Sequence, residues 1–481
     1  MKKTKIICTI GPACDTEEKI EELIKNGMDV ARLNLSHNTH IYHQKVIQKI
    51  RKVSKKLNKP VAIIADLQGP KLRLGNFPEK ILIKPKTSLI LSSDYKKIDN
   101  KTIKIPIDYS NLYKQIQVKD KIILGDNHIE LEVLAVKNKE IFCLVLNEGF
   151  IWSKMGFNLF ENSFKVSVPT LKDKKDIKFS VENEVDFIAL SFVTSENDLI
   201  TLRKIINQYQ DKKNLEPIKI IAKIERGAAV KNIDKIIDES DAIMIARGDL
   251  GVELPIEKVP LIQKEIIQKC LNQAKPVIVA TQMLGSMENK SSPTRAEVSD
   301  IANAVIDEAD ALMLSEETAI GKYPIKAVKV MSKIIIQTEK FEDEKFFNKL
   351  TLDKEQPITT VDDSLIFSLN LISQKVIAKM ILVVSLTGYT GRIISRFRPK
   401  IPLFVFTCSE KIARQLNLNW GLFPITNPND NLCGPLEKIK QDSINNLLDK
   451  RILKKGDTIL MVGRKDRQHL STIDWIEIKH I

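Results

Sequence analysis

Ile218-Lys219-Ile220-Ile221-Ala222-Lys223-Ile224-Glu225 is an apolar, β-branched run closed by a carboxylate. A helix-like stretch separates it from a second such run, Asp241-Ala242-Ile243-Met244-Ile245-Ala246. Strand, helix, strand, with nearly continuous apolar strands, is the pattern of a parallel βαβ unit buried on both faces. The pattern extends in both directions. Upstream, Lys5–Ile10 leads into the acidic start Asp15-Thr16-Glu17-Glu18 of an amphipathic stretch that Gly27 ends. Met28–Leu35, a helix over Thr39–Leu57 and a third strand over Pro60–Leu67 follow. Val185–Val193 precedes the opening run, and Pro276–Ala280 and Asp310–Leu314 come after it. Eight right-handed βα units of this kind close into a (β/α)8 barrel.

Two stretches break the rhythm. From Gly69 to Phe164 the segments are short and alternating, as in Lys80–Ile83, Ser88–Leu91, Lys121–Leu124, Ile129–Val136 and Ile141–Leu146, with no long helix pattern. This reads as a small β-barrel domain inserted after the third strand. Gln337–Pro357 is polar and reads as a connection to a second α/β block, with strands near Met380–Ser385, Pro402–Thr407 and Thr458–Val462. The expected organisation is therefore α/β: a barrel over 1–69 and 165–345, an inserted lid over 70–164, and a C-terminal α/β domain over 346–481.

Composition removes several function classes. Apolar residues at 43% and charged residues at 28% fit a globular fold and argue against disorder. No apolar run reaches the roughly 18 residues of a membrane span, and the start Met1-Lys2-Lys3-Thr4 leaves no room for a signal peptide before the first strand. Cys8, Cys14, Cys143, Cys270, Cys408 and Cys433 show no metal-binding spacing and read as free thiols of a cytoplasmic protein. The net charge of +14 comes from lysines spread over every segment, without an aromatic-interleaved basic stripe, so no nucleic-acid partner is expected.

The chemistry-bearing side chains sit at the carboxyl ends of the strands. Arg32 and Asn34 close the second, Asp66 the third, and Lys223 and Glu225 the fifth; Asp249 follows the sixth, Thr281 the seventh, and Ser315 and Glu316 the eighth. That end is the catalytic face of such barrels. Lys223 and Glu225 alternate along one strand and share a face. An isolated pair of this kind is most often a plain salt bridge. With Asp249 on the next strand, two carboxylates instead suit Mg²⁺, which takes few protein ligands, and the lysine suits a phosphoryl group in transfer. The glycines of Ala246-Arg247-Gly248-Asp249-Leu250-Gly251 expose backbone N–H groups to an anion.

The chain resembles the pyruvate kinases. The resemblance rests on KIICTIGP (Lys5–Pro12), ARLNLSH (Ala31–His37), KIIAKIER (Lys219–Arg226), IMIARGDLGVE (Ile243–Glu253), ATQML (Ala280–Leu284), SPTRAEVSDIANAV (Ser292–Val305) and DALMLSEETAIGKYP (Asp310–Pro324). It implies phosphoryl transfer from phosphoenolpyruvate to ADP, giving pyruvate and ATP at the last step of glycolysis, in a cytoplasmic homotetramer. It also implies roles. Glu225 and Asp249 hold Mg²⁺ or Mn²⁺, and Lys223, Arg32 and Thr281 are catalytic. Lys223, Arg32, Thr281 and the backbone around Gly248 and Asp249 bind phosphoenolpyruvate. Arg32, Asn34, His37, Arg73 and Lys154 bind the nucleotide.

The sequence departs from the family at informative points. Potassium-dependent members carry Thr, Lys and Glu where this chain has Leu67, Gln68 and Lys71. Asn34, Ser36 and Asp66 remain as a remnant of the monovalent-cation site, with the Lys71 ammonium expected to stand in for K⁺. Activity without K⁺ is the resulting expectation. Met155 replaces a nucleotide-contacting lysine, with Lys154 beside it, while Glu316 and Gly285 are further substitutions. In the C-terminal block, Ser385, Thr387, Gly388 and Thr390 lie at a strand-to-helix turn able to cradle an anion, which in the family resembles the site of phosphorylated effectors. Two other readings are a weakly active, metabolite-sensing paralogue and a lyase of another metal-dependent barrel; retention of Arg32, Lys223, Glu225, Asp249 and Thr281 argues against the first, and the inserted domain against the second.

Overall fold

The computed structural model describes the chain except residues 71, 94–95, 98–101, 110, 126–128, 161–167, 211–215, 349–360, 427–434 and 465–472. Eight parallel strands close a barrel in sequence order: β1 (Lys5–Thr9), β2 (Val30–Asn34), β3 (Ala62–Asp66), β4 (Phe187–Leu190), β5 (Lys219–Ile224), β6 (Ala242–Ala246), β7 (Val277–Ala280) and β8 (Ala311–Leu314). Alternate residues such as Ile7, Ile64, Phe187, Ile221, Met244 and Ile278 fill the interior. The opposite faces of the strands pack under the helices, whose starts are capped by threonine side chains. Thr16 and Thr39 accept the Lys19 and Tyr42 N–H groups, and Thr170 and Thr294 form capping boxes with Asp173 and Glu297. The inserted stretch forms a seven-stranded sheet and a two-stranded sheet around its own apolar core, as expected for an all-β insertion.

An aspartate immediately precedes each even-numbered barrel strand. Asp29, Asp186, Asp241 and Asp310 each accept a backbone N–H from the preceding strand, from Ile6 (3.0 Å), Ile63 (2.8 Å), Ile220 (2.8 Å) and Val277 (3.0 Å). Each also holds a cation: Lys2 for Asp29, Arg51 and Arg414 for Asp186, Arg203 for Asp241, and Arg398 for Asp310. Burial pushes the Asp29 carboxyl up, but Lys2, Lys59 and Lys5 outweigh it and hold it well below the usual range. These carboxylates satisfy strand-edge amides at the amino end of the barrel, where ladder bonding begins.

The C-terminal block has strands β9 (Ile381–Val384), β10 (Leu403–Phe406), β11 (Leu422–Ile425), β12 (Thr458–Gly463) and β13 (Trp475–His480), in the order β11-β10-β9-β12-β13. The sequence pattern missed β11 and β13. Pro424 interrupts β11, which fits its edge position. The polar stretch read as a connection also differs, because the helix Pro324–Asn348 runs through its first part. Glu339 explains why: its buried carboxylate accepts the Lys3 and Thr4 N–H groups and ties that helix to the start of β1.

The block plugs the amino end of the barrel. Leu418 is fully buried within the interior layer formed by Ile7, Val30 and Phe187. Around it, Asn417 donates to Pro60 O, Gly421 N–H to Lys3 O (2.9 Å), and Lys5 Nζ to Leu422 O (2.6 Å). Arg414 and Arg398 reach two of the four aspartates.

The expectation of six free thiols fails at one position. Cys8, Cys14, Cys143 and Cys270 are free and buried, whereas Cys408 is disulfide-bonded. Cys433 lies outside the described residues.

Asp186 braces two arginines, so Asp186→Asn should take the ion-pair partner from Arg51, leave Arg414 only Glu410 at 3.9 Å, and cost about 3 kcal/mol of stability. Urea unfolding followed by circular dichroism measures this. A variant within about 0.5 kcal/mol of the parent would show that the brace is dispensable.

Candidate active site

The carboxyl end of the barrel gathers a chain of buried charges. Asp66, at the end of β3, is 1% exposed. Its Oδ2 accepts from Arg32 Nε at 2.7 Å, and its Oδ1 lies 3.2 Å from Lys223 Nζ. Arg32 also donates from Nη1 to Thr9 Oγ1 at 2.9 Å. Lys223 Nζ lies 2.8 Å from Glu225 Oε1 and donates to Ser191 Oγ at 2.7 Å. The Ser191 hydroxyl in turn donates to Leu67 O at 2.7 Å, and Phe192 N–H donates to Glu225 Oε2 at 2.7 Å. Four consecutive contacts therefore run from Thr9 through Arg32, Asp66 and Lys223 to Glu225.

The electrostatics follow from this packing. Burial pulls the Lys223 ammonium down, but Asp66 and Glu225 outweigh it and hold it well above its ordinary value. Asp66 is pushed up by burial and brought below its ordinary value by Lys223 and Arg32. Glu225 goes the other way. Burial raises it to about 6, with the Asp249 charge adding to the rise and Lys223 opposing it.

A second cluster lies beside the first. Thr281, just after β7, has φ 74°, a left-handed conformation that is rare and costly for a β-branched residue. Three contacts hold it there. Gly248 N–H donates to Thr281 Oγ1 at 2.8 Å, Thr281 Oγ1 donates to Ala280 O at 2.6 Å, and Arg247 Nη2 donates to Thr281 O at 3.0 Å. Arg247 is in turn fixed by a bidentate pair with Asp300, at 2.7 and 2.6 Å. Asp249 sits in the first turn of the short helix Arg247–Glu253 that follows β6.

A divalent cation fits this donor set. The Asp249 charge adds to the raised pKa of Glu225, a repulsion that a cation between them would relieve. Among the described residues no cluster of three or more His, Cys, Asp or Glu has metal-binding geometry. Two carboxylates with room for substrate oxygens and water are the coordination Mg²⁺ prefers.

The other sequence-selected residues are distributed as follows. Asn34 Oδ1 accepts the Ser36 N–H at 3.1 Å, and His37 O accepts from the His43 ring at 2.8 Å, both directly after β2. Lys71 lies outside the described residues. Arg73 is in the inserted domain, where it donates to Lys154 O at 2.8 Å, while Lys154 Nζ pairs with Asp108 at 3.0 Å. Met155 is 2% exposed within the inserted domain's core, so its side chain is a packing element. Glu316 is exposed, and the buried neighbour Glu317 accepts the Leu284 and Ser315 N–H groups instead. In the C-terminal block Ser385 and Thr390 are buried, and Gly388, at φ 73°, starts the helix Tyr389–Arg396.

Sequence reasoning passed over Thr9, Ser191, Phe192 and Arg247. Ser191 and Phe192 directly follow β4, so the same strand-end argument that selected Asp66 would have found them. Arg247 lay inside the motif valued for its glycines.

The family described as "Pyruvate kinase, barrel domain" matches residues 1–328, and "Pyruvate kinase, alpha/beta domain" matches residues 363–479. The pyruvate kinase of Clostridium acetobutylicum is 39% identical over 465 residues, 96% of each chain. That of Thermococcus litoralis is 39% identical over 462 residues, 95% of this chain and 94% of its own. The crystal structure of a pyruvate kinase from Cryptosporidium parvum superposes with a TM-score of 0.89 at 35% identity, covering 100% of this chain and 96% of the other. With both family descriptions matched in order and similarity running nearly end to end, the chain belongs to the pyruvate kinase family.

Proposed function

We propose that the carboxyl end of the barrel transfers the phosphoryl group of phosphoenolpyruvate to ADP, yielding pyruvate and ATP. The observation that carries this reading is Lys223, a cation pinned among Asp66, Glu225 and Ser191 and kept charged by its neighbours. In transfer the bond between phosphorus and the enol oxygen breaks, and a new one forms to a terminal oxygen of ADP. Negative charge spreads over the moving phosphoryl oxygens, where a fixed ammonium stabilises it without reorganising. Arg32 supports the same group from the other side of Asp66. Glu225 and Asp249 would hold a divalent ion, Mg²⁺ or Mn²⁺, which would supply further charge neutralisation. The Asp249 amide, joined by the Gly248 amide once that donor leaves the Thr281 hydroxyl, would hold the substrate carboxylate at the start of their helix. The enolate left behind takes a proton at its terminal carbon, relayed by the Thr281 hydroxyl through water.

The remaining assignments belong to the same proposal. The barrel over 1–69 and 165–345 carries the chemistry, the inserted domain over 70–164 brings Arg73 and Lys154 to the nucleotide together with Arg32, Asn34 and His37, and the domain over 346–481 carries an anion-binding turn at Ser385, Thr387, Gly388 and Thr390 for a phosphorylated effector. Family membership supports a cytoplasmic homotetramer. Among the described residues no helix is long and apolar enough to cross a membrane.

The protein is also proposed to work without K⁺. Leu67 is 1% exposed and offers an apolar side chain where potassium-dependent relatives offer an oxygen. Arg32 and Lys223 already take up the two oxygens of Asp66. Lys71 supplies the remaining positive charge, a role that rests on the sequence pattern.

Lys223→Met should lower kcat about a thousandfold in a coupled assay with phosphoenolpyruvate, ADP and Mg²⁺. Full activity in that variant would sink the assignment of Lys223, whereas an inactive parent would favour the paralogue reading. In buffer free of K⁺ and Na⁺ the parent should retain its rate to within about twofold, whereas a rate below about a tenth would reject the K⁺-independent reading. Metal affinity should depend on pH through Glu225. In the metal-free protein this carboxyl takes up a proton as pH falls through about 6, and the protonated form is a poor ligand. Mn²⁺ binding followed by electron paramagnetic resonance should therefore weaken by about tenfold per unit below that pH. Equal affinity at pH 7.5 and pH 5 would contradict it.

A further inference from the structure

The amino end of the barrel holds a group of cations that the chemistry at the opposite mouth does not use. Asp241, before β6, is satisfied by the Ile220 N–H at 2.8 Å and by Arg203 Nη2 at 2.9 Å. Lys275, in the turn before β7, donates to Ser240 O at 2.6 Å and Asp238 O at 3.2 Å. Lys219 is the first residue of β5, and Arg392 is on the C-terminal helix Tyr389–Arg396. That helix is seated on the barrel, because Arg396, one turn after Arg392, donates to Asn272 O at 3.0 Å. Arg392 interacts electrostatically with Asp241 and Lys219, and Lys219 with Lys275. Both Lys219 and Arg392 are largely enclosed but keep partial access to solvent. Neither side chain makes a hydrogen bond or ion pair with any described residue, and Arg392 has only the ring of Tyr389, 5.9 Å away.

Arg203, Lys219, Lys275 and Arg392 thus surround a single carboxylate that already has a partner. Enclosed cations without counter-ions are costly. The strain is visible in Lys219, whose ammonium is pulled down to about 7 by burial, with repulsion from Arg392 and Lys275 adding to the pull against Asp241.

We propose that Lys219, Lys275 and Arg392 form an anion site between the barrel and the C-terminal domain that takes a phosphate group, either inorganic phosphate or a small phosphomonoester. A guanidinium can hold two phosphate oxygens in parallel, and two ammonium groups can reach the others. Enclosure strengthens each contact by lowering the local dielectric. The site is separate from the turn at Ser385–Thr390. That turn leads into the start of the helix Tyr389–Arg396, whereas Arg392 lies inside the helix, a turn before the residue that anchors it to the barrel.

The test is isothermal titration of the full chain, without divalent metal, using inorganic phosphate and, separately, glycerol 3-phosphate at constant ionic strength in chloride buffer. Saturable binding is expected in the parent, in Lys223→Met and in Thr387→Ala. Arg392→Gln and Lys275→Gln should each weaken it roughly tenfold, the loss expected for one charge-assisted hydrogen bond. Lys275 is partly exposed, so its variant carries the test if Arg392→Gln fails to fold as judged by circular dichroism. Tighter binding of glycerol 3-phosphate would identify a phosphomonoester as the occupant, and equal binding would identify inorganic phosphate. Three outcomes overturn the proposal: no saturable binding in the parent, unchanged affinity in the Arg392 and Lys275 variants, or loss of binding in Lys223→Met or Thr387→Ala.

Discussion

A carboxylate that is 1% exposed can stay ionised only if cations enclose it, and Asp66 makes that demand on the whole catalytic end of the barrel. Arg32 from β2 and Lys223 from β5 answer it. Once Lys223 is committed to Asp66, its second carboxylate partner, Glu225, is fixed as well, and Ser191 and Phe192 close around the pair. Strands β2, β3, β4 and β5 are therefore joined by charge and hydrogen bonding at their carboxyl ends as well as by the ladder. The same contacts leave Glu225 with a raised pKa next to Asp249, a site that asks for a cation.

The opposite end of the barrel meets a similar demand by a different route. There the aspartates that begin β2, β4, β6 and β8 bond to backbone amides of the strand before them, and four sets of cations neutralise them. The even-strand spacing suits a barrel in which inward and outward positions alternate between neighbouring strands. Two of these aspartates recruit their arginines from the C-terminal domain, so the junction between the domains is ionic at its rim and apolar at its centre.

Much of this was legible in the sequence. Strand order, the insertion after β3 and the polar strand ends follow from periodicity and from the rule that puts chemistry at carboxyl ends. Gly248 and Thr281 were selected as separate anion and hydroxyl candidates, and the structure joins them by a hydrogen bond. What could not be read was tertiary. The four aspartates stand at equivalent places in Met28-Asp29-Val30, Val185-Asp186-Phe187, Ser240-Asp241-Ala242 and Ala309-Asp310-Ala311, yet nothing local says that each reaches across to an amide of the preceding strand. Glu339 looked like part of a solvated linker because its partners, the Lys3 and Thr4 amides, lie at the other end of the chain. The strand β11 was hidden by Pro424, whose missing donor an edge position tolerates.

Leu418 bears on how the molecule comes into being. Its side chain completes an interior layer otherwise supplied by barrel strands, so the barrel's apolar centre is finished by a residue more than a hundred positions beyond its last strand. A chain emerging from the ribosome can pair all eight strands well before it can seal the core between them. During that interval the amino end of the barrel is an open apolar socket, with Lys5 still lacking the Leu422 carbonyl it later holds. The C-terminal domain is thus structurally continuous with the catalytic one, a late-arriving stopper whose removal would uncover the barrel's own interior.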